Sequence, residues 1–193
     1  MSEATSPGLD AGARYDASPM VPGDGDAFTP ATEWEFFQAT PLALAALRYV
    51  DMGLPITPLI PGTAELLYDM PVRDIAKVRD IWTYYPDANI GIITGYVVDV
   101  ININSRAAWK DVPRGLRIIG HALTPRPDGH HLYIDTSGGG SRCIAKDLHY
   151  RGPRRWVVAP PSVLKQKPRS RFAGRYQWAR ELSMGHRFQG VTQ

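Results

Sequence analysis

The sequence predicts an α+β fold. Three observations carry that reading: two capped amphipathic helices, several short β-branched runs, and no regular βαβ alternation between them. The chain has 193 residues, of which 44% are hydrophobic and 21% charged. That is the composition of an ordinary globular protein and the length of one domain with a tail.

Residues 1–32 are rich in Gly, Pro, Ser, Ala and Asp and show no periodicity. Such a stretch buries too little apolar surface to offset its ordering entropy, so it is expected to be a disordered acidic leader. Order is expected from Trp34 onward. In TPLALAALRYVDMG, Thr40 is an N-cap and Pro41 takes the first helical position. Leu42, Leu44, Ala45, Leu47 and Val50 form the apolar face, and Gly53 stops the helix. Leu54 to Ile60 is a short strand ending at Pro61-Gly62, and its prolines place it at a sheet edge. Asp74 caps a second helix, DIAKVRDIWTYY, whose Ile75, Val78, Ile81 and Trp82 share a face and which Pro86 terminates.

Asn89 to Gly95 is a buried strand and turn, and Tyr96 to Asn104 is the densest β-branched run in the chain. Ser105 to Gly120 is expected to be a helix and a connection. Gly129 to Ile134 is a further strand, and Gly138-Gly139-Gly140 a flexible loop. Trp156 to Val163 is a last core strand stopping at a rigid Pro160-Pro161, and Gly174 to Trp178 a terminal strand. The expected organisation is a leader over 1–32, a folded domain over 33–180, and a tail over 181–193 that closes the basic C-terminal quarter.

Charge is distributed unevenly. Residues 1–40 carry seven acids and one base, whereas residues 142–193 carry twelve bases against Asp147 and Glu181. A basic C-terminal quarter is the footprint of a polyanionic partner. The single cysteine, Cys143, excludes an intrachain disulfide and fits a reducing compartment. No apolar run reaches the roughly 18–20 residues that span a bilayer, and the N-terminus lacks the apolar core of a signal peptide. The expected location is the cytoplasm, without a membrane partner.

Five segments, in order, resemble one family: AALRYVDMGLPITPLIPG, WTYYPDANIGIITG, TPRPDGHHLYI, RGPRRWVVAPPSV and GRYQW. Together they are similar to the bifunctional DNA primase/polymerase (prim-pol) domain of the archaeo-eukaryotic primase superfamily. The resemblance implies an RRM-like antiparallel sheet backed by helices, beside a smaller α/β subdomain, with a nucleotide cleft between them. It also implies template-directed nucleotide addition with two divalent metals, held by an Asp-x-Asp pair on one strand and a third Asp before Ala-Pro-Pro-Ser. A histidine on an intervening strand contacts the triphosphate.

At the positions implied by the resemblance, Asn102-Ile103-Asn104 stands for the acidic pair and His149 for the third acid. Asn102 and Asn104 still share a strand face, but both are neutral. Asp99 falls on the opposite face with Ile101 and Ile103. Asp147, two residues before His149, lies on the His149 face if that strand is regular. The family histidine corresponds to His131, which with Arg151 is the expected nucleotide-binding pair. A basic residue common in the family after the first Pro-Gly is absent from Pro61-Gly62-Thr63-Ala64-Glu65.

Arg154, Arg155, Lys165, Lys167, Arg169 and Arg171 surround the end of a strand and the loop after it, and are the expected nucleic-acid contacts. Trp156, Phe172, Tyr176 and Trp178 are interleaved with them. Trp156 and Trp178 are expected in the core, because they match family core positions. Among the five histidines, His130 and His131 point to opposite faces, and a transition-metal site between His131 and His149, facing each other across adjacent strands, is the disfavoured alternative. A phosphate-contacting or simply hydrogen-bonded histidine is the favoured reading. Cys143 and His149 lack an oxyanion-hole signature, and Gly138-Gly139-Gly140-Ser141 lacks the Lys-Ser/Thr of a phosphate loop.

The expected function is therefore that of a prim-pol-like domain without its metal-binding acids. It would bind nucleic acid, DNA being the expected kind, or nucleotide, in replication of a mobile element, with a helicase as a further partner and no cofactor. The alternative is an active DNA primase/polymerase whose Mg or Mn sits in a non-standard site of His131, His149 and Asp147. A third reading is a protein-interaction module using the acidic leader as its arm.

Overall fold

A computed structural model of the chain describes residues 37–165 and 172–184. Lys167, Arg169 and Arg171 fall outside the described residues, as do the leader and the last nine residues of the tail.

Helix α1 (Pro41–Asp51) starts as its sequence requires, with the Thr40 side chain accepting from the Ala43 amide at 3.1 Å. Helix α2 (Ile75–Tyr84) is capped in the same way, by Asp74 accepting from Lys77 at 3.1 Å. Ala43, Ala46, Tyr49 and Val50 of α1 are buried together with Val78 and Trp82 of α2. The Trp82 indole N–H donates to the Ala88 carbonyl, so this large apolar ring is buried with its one donor satisfied.

Eleven strands occur among the described residues: β1 (Ile56–Leu59), β2 (Asn89–Thr94), β3 (Val98–Ile103), β4 (Ile118–Leu123), β5 (His130–Asp135), β6 (Arg142–Ala145), β7 (Leu148–Arg151), β8 (Arg155–Val158), β9 (Val163–Leu164), β10 (Gly174–Arg175) and β11 (Gln177–Arg180). Six of them form one sheet in the order β11-β4-β5-β3-β7-β6, in which every neighbouring pair is antiparallel. β1, β2 and β8 form a smaller antiparallel sheet, with β1 at its edge as Pro55 and Pro58 predict. β9 and β10 pair separately. The fold is α+β, with a large antiparallel sheet beside a smaller unit carrying the two helices. No helix among the described residues is long and apolar enough to cross a membrane.

Three expectations are corrected. Ser105 to Gly120 does not form an α-helix: a short 3-10 helix covers Arg106–Asp111, and the chain then enters β4. The segment from Trp156 to Val163 is not one strand. β8 ends at Val158, and Val163 begins β9 in a different pairing. GRYQW is likewise split, because Tyr176 separates β10 from β11 and its amide donates to the Ser162 carbonyl.

β3 lies inside the large sheet, between β5 and β7, and its side chains alternate between two environments. Val98 and Val100 join the main core with Tyr133, Ala122, Ile119 and the buried faces of α1 and α2. Ile101 and Ile103 join a second core with Leu132, Ile134, Leu148 and Tyr150, over which Ala108 of the 3-10 helix packs. Past Val100, the face that bears the main core emerges at Asn102, which is half-buried.

Candidate functional site

Cross-strand register builds the site. Asn102 of β3 is paired with His131 of β5 on one side and His149 of β7 on the other. Ala122 of β4 is paired with His131, and Cys143 of β6 with His149. Directly opposed residues share a sheet face, so this row crosses five strands on the face of Asn102. The disfavoured alternative in which His131 and His149 meet across adjacent strands does not hold: β3 intervenes, and two strand spacings, roughly 10 Å, separate their backbones. Asp147 does not extend the His149 face either. It sits in the β6–β7 turn with φ +61°, outside regular strand geometry, and its carbonyl accepts from the Asn104 amide.

Above the row lies a cleft. One part, of about 300 Å³, is lined by Asn102, His131, Arg151, Arg155, Trp156 and Tyr176 together with Val157 and Val158. An adjoining part, of about 190 Å³, is lined by Asn102, Asn104, His131, Arg126, Phe172 and Tyr176 with Thr124, Pro125 and Leu164. Asn102, His131 and Tyr176 belong to both. Arg151 reaches the cleft from the position opposite Val100, two residues along β7 from His149.

His131 is 6% exposed, and its ring lies 5.6 Å from that of Tyr176 and 6.5 Å from that of Tyr133. Burial, and then the Arg151 guanidinium, pull its pKa down to about 4, against a hydrogen bond with the Val158 backbone that acts in the other direction. At neutral pH the ring is therefore uncharged. Its Nδ1 is buried and has no hydrogen-bond partner among the described residues. The other strand histidine, His130, points away as its neighbouring position requires. On the far side of the sheet its Nδ1 lies 2.9 Å from Nε2 of His121, beside the Trp109 indole.

Arg126 is a cleft residue that the sequence reading missed. Its guanidinium donates to the Asn104 carbonyl at 3.4 Å and stacks over Phe172 at 4.7 Å. The available signal was a lone base within Thr124-Pro125-Arg126-Pro127, the rigid approach to the histidine strand. Trp156 corrects the core assignment. It is 37% exposed, its ring packs over Gly91, and its N–H donates to the Ala64 carbonyl at 3.1 Å. Trp178 is partly buried against the main core and donates to the Tyr49 hydroxyl. Arg154 is exposed in the β7–β8 turn with φ +60°. Lys165 lies across the first Pro-Gly: a Cβ at Gly62 would sit 2.8 Å from its Cγ and Cδ, so a side chain there would displace this stem.

Hard dications such as magnesium and manganese need carboxylate oxygens around them. Among the described residues no carboxylate lines either part of the cleft, and no group of three His, Cys, Asp or Glu side chains is placed to hold an ion. Two amides, a neutral imidazole and three guanidiniums do not fit a pair of divalent metals.

The arrangement defines an α+β domain whose antiparallel sheet carries a basic, half-enclosed cleft on one face. Residues 46–186, well over half of the chain, match the family model of the bifunctional DNA primase/polymerase N-terminal domain, and the chain belongs to that family. A search of curated proteins found no match.

Proposed function

We propose that this prim-pol domain binds nucleic acid, DNA in particular, or nucleotide in its cleft, in the replication of a mobile element, and does not itself carry out metal-assisted nucleotidyl transfer. Family membership supports a role in nucleic-acid replication. The observation that carries the finer reading is the lining of the cleft. Asn102 and Asn104 stand where the family resemblance implies acids, and Arg126, Arg151 and Arg155 surround them without a carboxylate.

Two dications clamp the attacking and leaving oxygens in such transfers, and their charge has to be balanced by protein carboxylates. An amide offers one neutral oxygen. Arginines in the same cleft attract the phosphate ester while opposing a second cation. Arg154, Arg155 and Lys165 are exposed beside the cleft walls and extend the basic surface that a strand would follow.

Two measurements test this proposal. A gel shift with single-stranded DNA at low and moderate salt is expected to show binding that weakens steeply, log affinity falling by about 0.7 per phosphate contact for each decade of salt. A primer-synthesis assay with manganese and labelled nucleotides is expected to give no product above background. Product that disappears in His131→Ala would establish the active, non-standard site instead. No shift at either salt would remove the nucleic-acid reading.

A further inference from the structure

We infer that the cleft takes the phosphate chain of a nucleoside triphosphate free of divalent cation, so that magnesium weakens binding rather than enabling it. This rests on the nucleotide half of the function proposed above and specifies its ligand.

Charge is the first support. A triphosphate loses about half its negative charge when it carries a dication. A site with three guanidiniums and no carboxylate gains most from the metal-free form, because each guanidinium then meets undiminished charge. Neither Arg151 nor Arg155 has an ion-pair partner among the described residues, where the ion pairs are Arg48–Glu181 and Arg117–Asp135. Their charge is therefore available to a ligand.

The neutral groups point the same way. Amide NH2 groups at Asn102 and Asn104 donate to phosphate oxygens, which carboxylates at those positions would repel. His131 is buried in the floor of the cleft, and its Nδ1 lacks a partner. Nδ1 of the neutral ring, whose single N–H is engaged by the Val158 backbone, is an acceptor, and a ligand hydroxyl such as the sugar 3′-OH of dATP supplies the donor that the chain does not. Arg126 is held in place by the Asn104 carbonyl and the Phe172 ring. Trp156 presents an exposed indole at the rim, a surface on which a base can stack. The two parts of the cleft, about 300 and 190 Å³, share Asn102, His131 and Tyr176, and only together do they enter the size range of small-molecule sites.

The test is calorimetric titration of the full chain with dATP, in excess EDTA and again with excess magnesium. Binding in EDTA is expected, weakened severalfold by magnesium. Arg151→Gln and the exposed-site variant Arg155→Gln are each expected to lower the EDTA affinity about tenfold, the loss of one charge-assisted hydrogen bond. Asn102→Asp with Asn104→Asp is expected to weaken metal-free binding more than either and to make magnesium favourable. Inorganic triphosphate separates the phosphate contribution from that of the base. A 5′-phosphorylated oligonucleotide beside its unphosphorylated twin separates free nucleotide from a strand end.

Binding that requires magnesium or manganese would overturn the inference, as would affinity indifferent to both arginine substitutions. Should single-stranded DNA shift while dATP and inorganic triphosphate fail to bind, the inference falls and the nucleic-acid reading stands. Failure of all three, in protein with an intact circular-dichroism spectrum, removes both.

Discussion

The hydroxyl of Tyr150 donates a hydrogen bond to the carboxylate of Asp99 on the side of β3 turned away from Asn102. The Ser137 amide donates to the same carboxylate oxygen, and Asp99 is fully buried. The acid of the central strand thus serves the second core, and strand alternation keeps it from the cleft. Burial, and then the bond to Asp99, raise the Tyr150 pKa. Asp99→Ala is expected to take the acceptor from the Ser137 amide and to leave the Tyr150 hydroxyl with Ser137 Oγ alone, at a cost of about 1–3 kcal/mol. Urea denaturation of Asp99→Ala, Tyr150→Phe and the double variant checks this, and additive losses in that cycle would deny the coupling.

The lowered pKa of His131 makes stability depend on pH with a definite sign. Its folded value is about 4 against an ordinary 6.5. Between these values the unfolded chain binds a proton that the folded chain refuses, so stability rises with pH across that window. The contribution is complete above pH 6.5 and is lost as pH falls toward 4, about 3 kcal/mol in all. His131→Gln should flatten this part of the melting-temperature profile, and an unchanged slope would show that another group governs it.

Gly95 joins β2 to β3 with φ +89°, and a Cβ there would sit 2.2 Å from the Pro153 Cα. Side chains avoid that backbone region, and here the obstacle is rigid backbone rather than a movable side chain. Gly95→Ala is expected to destabilise the fold by about 3 kcal/mol or more. Chemical denaturation measures it, and a loss under half that size would mean that the turn can shift.

Arg48 and Glu181 form a 2.6 Å ion pair between α1 and the segment after β11, but their side chains are 59% and 56% exposed. Water screens such a pair, and holding two long side chains together costs entropy. Glu181→Ala should therefore change stability by less than about 1 kcal/mol. Tyr49, in the same region, is different: it is buried, donates to the Pro160 carbonyl and accepts from the Trp178 indole. Tyr49→Phe should cost about 1–3 kcal/mol. Thermal melts of the two variants side by side test the contrast, which equal losses would refute.

Trp156 should matter more for binding than for stability. Its rim position leaves one hydrogen bond and one packed face to the fold. If bases stack on it, Trp156→Ala weakens single-stranded DNA binding by about 1–3 kcal/mol. Fluorescence anisotropy of labelled DNA reads that loss directly, and unaltered affinity would exclude the indole from the interface.

Local sequence was sufficient wherever an element's signals lie within itself. Thr40 with Pro41, and Asp74 four residues before Val78, start their helices from side-chain capping alone. The β-branched run through Val98, Val100 and Ile103 makes a strand in almost any setting, and its period of two already separates Asn102 from Asp99. β4 escaped detection because Gly120 and His121 interrupt its apolar run; β5 and β11 supply the hydrogen bonds that hold it extended. Strand order was equally hidden. Nothing in the spacing of His131, Asn102 and His149 says that the asparagine stands between the histidines, because that follows from which strands pair. Tertiary packing also brought Arg126 and Tyr176 to the cleft and left Trp156 at its rim. Chain-local chemistry determines the elements whose caps and periodicity lie within them, and along a regular strand it determines which side chains alternate. Pairing between distant strands alone decides which of those side chains meet, because register and burial are properties of two strands together.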